Sequence, residues 1–199
     1  MAKMTWIAAT AAILAAGMTG AAAQTQTMNV RGTITAFDGK MLSVQSRDGR
    51  ALTIDVPEAL NVNITKPFTL ADVKPGMVLG VTTVKKADGT IVAIDVRPIP
   101  ATANQGLSPH DLAPDSTMTN ATLEGAVQVA NGNELTLNYK SGTVKALVVP
   151  ETAMSQAAPG ARSDLKPGET VFVSTRVEAG DKLTAARIQV SKDGVKPTQ

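Results

Sequence analysis

The residues with the most varied ligand chemistry lie together: His110, the single histidine of the chain, stands with Asp111, Asp115 and Met118 in a stretch rich in Pro, Asn, Ser and Thr. An imidazole, two carboxylates and a thioether offer borderline, hard and soft donors, so these four residues form a candidate site for Cu, Ni or Zn. A lone histidine lacks the paired-ligand spacing of zinc sites. The preferred alternative makes His110 and the two aspartates solvated linker residues, with Leu107, Leu112 and Met118 pinning the linker to the folded chain. Nucleophilic catalysis needs a nucleophile with a base in reach, and the chain has no cysteine and one histidine. Ser108 and Asp111 flank His110, but neighbours in sequence do not make a triad. Asp111 with Asp115 could form an acid pair, though two acids on a polar loop read as solvated. The expectation is a protein that is not an enzyme and holds no cofactor other than such a transition metal.

The elements that would position these groups begin after an export signal. Lys3, a small apolar run from Ile7 to Met18, and Ala21-Ala22-Ala23 before Gln24 follow the three-part pattern of a secretory signal over 1–23. That run is too short and too rich in alanine for a transmembrane span, and no second apolar run follows. With no cysteine there is neither a disulfide nor a lipid-anchor acceptor, so the expected location is the periplasm, without lipidation. A formal net charge of +2 gives no footprint for nucleic acid or an anionic membrane.

Beyond the signal the chain matches itself. Val30-Arg-Gly32 aligns with Leu123-Glu-Gly125, Asp38-Gly39 with Asn131-Gly132, Val56-Pro57-Glu58 with Val149-Pro150-Glu151, and Asp72-Val-Lys-Pro-Gly76 with Asp164-Leu-Lys-Pro-Gly168. In the first copy Met28, Val30, Ile34 and Ala36 alternate with polar residues, as do Leu42 with Val44 and Leu52 with Ile54 and Val56. Asp38-Gly39 and Asp48-Gly49 supply hairpin turns, giving a three-strand meander. Glu58 to Val73 reads as irregular, ending in one helical turn capped by Thr69, and strands follow over 77–85 and 91–97. This predicts an all-β chain of two tandem five-stranded OB-like barrels with short helical corners. The domains are 24–97 and 122–191, joined by a Pro-rich connector over 98–121 and ending in a flexible tail over 192–199. A single sandwich built from both halves is the competing architecture.

The pattern over Val30–Gly39 and Leu70–Val78, repeated over Leu123–Gly132 and Asp164–Val171, resembles a bacterial family of exported OB-like domains of unknown function. The shared residues are turn and core residues, so the resemblance implies a fold and an exported location and assigns no catalytic role.

Two differences between the copies point to contacts. Phe172 stands where the first copy has Gly80, on the face opposite Val171 and Val173, and reads as a filler of the inter-barrel interface or an exposed partner anchor. Lys145 replaces Leu52, which marks a lost core position or an opened edge. Tyr139 falls inward with Leu135 and Leu137, leaving no aromatic platform for stacking bases. The sequence therefore predicts a periplasmic binding or interaction protein, with metal handling through His110 as the alternative. Its expected partner is a periplasmic protein, a glycan or a small ligand, not nucleic acid.

Overall fold

The computed structural model describes residues 26–198, so the signal read over 1–23 lies outside the described residues. The first meander forms from β1 (Gln26–Phe37), β2 (Met41–Ser46) and β3 (Ala51–Asp55). Its first turn is fixed by the Asp38 carboxylate, which accepts from the Lys40 and Met41 amides at 2.8 and 2.6 Å, and by Gly39 at φ +98°. Alternation predicts Ala36 inside. A β-bulge between Ile34 and Ala36 reverses the parity instead, leaving Ala36 exposed and packing Phe37 against the core.

The stretch read as irregular contains a further strand, β4 (Val62–Pro67), before the helical turn Leu70–Asp72. Thr69 caps that turn as expected: the Asp72 carboxylate accepts from the Thr69 amide at 2.9 Å and its hydroxyl at 2.7 Å. Then come β5 (Val78–Lys85), β6 (Ile91–Pro98), β7 (Gly106–Pro109), β8 (Thr117–Val129), β9 (Gly132–Tyr139), β10 (Gly142–Pro159), β11 (Thr170–Val177) and β12 (Leu183–Val190). Among the described residues every helical segment is a single 3-10 turn.

Ladders β1·β2, β2·β3, β3·β12, β12·β11 and β11·β1 close a five-stranded barrel around Val30, Ile34, Leu42, Val44, Ile54 and Ile188. A second cycle runs β8·β9, β9·β10, β10·β6, β6·β5 and β5·β8 around Leu79, Val81, Val96, Leu123, Leu135 and Leu137. Each ring thus takes three strands from one half and two from the other. The tandem arrangement, in which each half closes on its own strands, is replaced by a reciprocal exchange.

The crossing point explains it. β4 pairs antiparallel with the C-terminal part of β10, and each also runs parallel beside the other half's last strand, β4 with β12 and β10 with β6. Thr65 faces Ala157 in that seam, and these two residues are equivalent in the two copies, so a local two-fold axis passes between them. The chain therefore enters the seam from one ring and leaves it into the other.

Candidate functional site

The connector over 98–121 is built as a hairpin. β7 pairs with the start of β8, and the turn between them is closed by the His110 amide to Ser116 O at 2.8 Å, with the Ser116 hydroxyl 2.7 Å from Ala113 O. The hairpin carries His110 and Asp111 onto the outside of β1. There the Asp111 carboxylate takes a bidentate pair from Arg31 at 2.8 and 3.1 Å and a third bond from Asn29 at 3.0 Å. Those donors hold Asp111 at a pKa of about 2, the Arg31 hydrogen bonds being the largest cause.

His110 has a side chain 13% exposed, and burial, the largest cause, lowers its pKa, so it is neutral at pH 7. Its Nδ1 accepts from the Leu112 amide at 3.3 Å, which directs the Nε2 proton towards Asp111 Oδ1, 3.6 Å away. No serine hydroxyl bonds to either ring nitrogen among the described residues.

Of the four residues singled out for a metal, only His110 and Asp111 are brought together. Met118 is buried, its sulfur 3.8 Å from Arg97 Nη2 and 4.0 Å from the Thr82 hydroxyl. Asp115 sits at φ +55° and lines another cavity, with Lys85 and Leu107. The described residues contain no group of three or more His, Cys, Asp or Glu side chains able to hold a metal ion.

Phe172 is 4% exposed and belongs to neither core cluster. Its ring lies between two guanidiniums, Arg31 at 5.1 Å and Arg187 at 5.8 Å from the centroid. Lys145 is a surface residue with a side chain 65% exposed, paired to Glu134 across β9·β10 at 2.8 Å.

Sequence reasoning missed the buried charges that this arrangement joins. Asp95 is fully buried and pairs with Arg97 at 2.7 Å; burial pushes its pKa up, and the Arg97 charge opposes that. The Thr198 hydroxyl donates to Asp95 while the Thr198 carbonyl accepts from Arg31 Nε at 3.0 Å, so the segment expected as a free tail returns to the site. Arg187, on β12, stands where the first copy has Asp95, and Gln189 where it has Arg97. A charge reversed at equivalent positions of two copies was the available signal: across a two-fold axis such positions can meet.

The outer faces of the rings thus enclose a polar layer of Arg31, Arg97, Arg187, Asp95 and Asp111. Beside it lies a cavity of about 420 Å³ bounded by Arg97, Arg187, Asn120 and Ala157 with an apolar wall from Pro98 to Ala103. No helix of the described residues is long and apolar enough to cross a membrane. Comparison with known proteins finds no matching family model, no matching curated protein and no matching solved structure.

Proposed function

We propose that this chain is a periplasmic, non-enzymatic binding protein built of two OB-like barrels that exchange strands, and that it binds its ligand in the crevice between them. The observation that carries this reading is Arg187. Arg187 is an exposed residue of β12 whose guanidinium lines the crevice, lies 5.8 Å from the Phe172 ring centroid, bonds only weakly to Gln189 at 3.3 Å, and has no carboxylate partner among the described residues. A guanidinium at a cavity wall with no carboxylate of its own is left available to pair with the carboxylate of a ligand or partner. The strands that usually carry nucleic acid on an OB barrel present no exposed aromatic platform, so the reading is of a small ligand or a protein partner.

Native mass spectrometry of the chain recovered from the periplasmic fraction tests this. Ala157 is exposed and lines the crevice, so Ala157→Trp fills it whatever the ligand's chemistry. The expected result is a non-covalent adduct on the wild type that the Trp variant lacks. Apo masses for both proteins, or a metal adduct lost only in His110→Ala, would overturn the reading.

A further inference from the structure

The crevice also indicates what it takes, and this step rests on the reading just given. Two independent features face the same cavity. The first is the charge balance beside it: Arg97 and Arg187 line the cavity, while Arg31 and Asp111 line a neighbouring one and Asp95 is buried behind Arg97, so the layer holds three guanidiniums against two carboxylates. Asp111 is committed to Arg31 and Asp95 to Arg97, which leaves Arg187 as the unneutralised cation. The second feature is Asn120. Its amide nitrogen donates to Asn104 O at 3.3 Å, which fixes the orientation of the side chain, and its Oδ1 is buried with no hydrogen-bond partner.

Gly80 shows how close these groups are. A Cβ placed there would lie 3.3 Å from Asn120 Oδ1 and 3.4 Å from Arg97 Cζ, so an acceptor and a guanidinium converge over one glycine. In the other ring that position is filled by Phe172. One copy thus has glycine where the other has phenylalanine, and the side chains of Asn120, Ile99 and Arg97 close over that glycine.

From this geometry we infer that the crevice binds a small monocarboxylate bearing a hydroxyl or N–H donor on an apolar skeleton. The carboxylate faces Arg187, with Arg97 beside it; the donor satisfies Asn120 Oδ1; the skeleton lies on Pro98, Ile99 and Pro100. A cavity of about 420 Å³ falls in the range of small-molecule sites. A fully charged divalent oxyanion such as sulfate would satisfy Arg187 and leave Asn120 Oδ1 unpaired, so it should bind less well.

Isothermal titration calorimetry on the full chain tests this with four probes: 2-hydroxyisovalerate, isovalerate, the neutral 2-hydroxyisovaleramide, and inorganic sulfate. The hydroxy acid should bind most tightly, isovalerate roughly tenfold more weakly for loss of the donor, and the amide not detectably, since a charge-assisted bond is lost. Arg187→Gln should lose at least about tenfold in affinity for the hydroxy acid while melting close to wild type, because Arg187 is exposed and forms no ion pair that the substitution would break. Asn120→Ala should abolish the preference for hydroxy acid over plain acid. Equal binding of acid and amide, unchanged affinity in Arg187→Gln, or no heat from any probe up to about 10 mM would overturn the inference. An adduct of other chemistry, lost in Ala157→Trp, would overturn it while leaving the crevice as the binding site.

Discussion

At the residue scale the connector is tied to the barrel by one carboxylate. Asp111 accepts three hydrogen bonds from β1, and they are made to its ionised form, so its folded pKa of about 2 lies below the ordinary 3.8. The stability it contributes is fully present above pH 3.8 and is lost as pH falls from there towards 2. Its side chain is 49% exposed, so solvent screening reduces the contribution to about 1 kcal/mol. His110 acts in the same direction at higher pH. Its folded pKa lies below 6.5, the unfolded chain binds the proton more readily, and acidification through 6.5 begins to weaken the fold. Urea denaturation from pH 7 to pH 2.5 should show both losses. Asp111→Asn should flatten the acid limb by about 1 kcal/mol, and an unchanged limb would place Asp111 outside the stability of the connector.

At the scale of elements, the strand ladders correct the internal alignment in one place. The sequence sets Gly32 beside Gly125. Yet Ile34 faces Val44 and Leu123 faces Leu137, and since Val44 and Leu137 correspond, Leu123 takes the place of Ile34. The bulges then coincide, between Ile34 and Ala36 and between Leu123 and Gly125, and Gly32 corresponds to the buried Ala121. The two glycines should therefore behave differently. A Cβ at Gly32 would meet Gln45 O at 2.2 Å and Val44 Cγ1 at 2.7 Å, whereas one at Gly125 meets nothing within 4 Å. Gly32→Ala should cost about 2–3 kcal/mol by prising β1 from β2, and Gly125→Ala should be neutral or slightly stabilising. Thermal melts of the two variants decide it; equal costs would restore the sequence alignment.

The same elements show what a sequence can convey. The Asp-Gly turns, the inward alternation of β2 and β3 and the Thr69 cap were legible because each depends on residues close in the chain. β4 was not: Val62 and Thr65 are both buried, because a strand in a seam has neighbours on both faces and loses its period of two. β7 was hidden by Pro109, which a strand at the end of the sheet order tolerates. Of the candidate site, Phe172 and Asp111 could be found from sequence. Arg187 and Asp95 were marked only by their reversed charge at equivalent positions of the two copies, because alternation reports which face a residue occupies and not what packs upon that face.

For the whole molecule, the exchange of strands makes the halves mutually dependent. Residues 26–104 supply β1, β2 and β3 to one ring but send β5 and β6 to the other, so that half alone lacks the two strands that close its own meander. A lone half would leave long β1 and β3 edges unpaired and an apolar face exposed, a state prone to pairing with another chain. The local two-fold axis at Thr65 and Ala157 shows what that pairing would be. Two copies of one half, each giving two strands to the other across a β4·β4 seam, reproduce the ladder pattern of the single chain. The first half expressed alone should therefore be unfolded at low concentration and dimeric at high concentration. Mixed with residues 105–199, it should form a one-to-one complex that melts cooperatively. Analytical ultracentrifugation with circular dichroism reads all three states. A folded, monomeric first half would mean that its own five strands can close without the exchange. In that case the crevice bounded by Arg97 and Arg187 would have to form by docking of two finished barrels, whereas the exchanged ladders make it a fixed product of the connectivity.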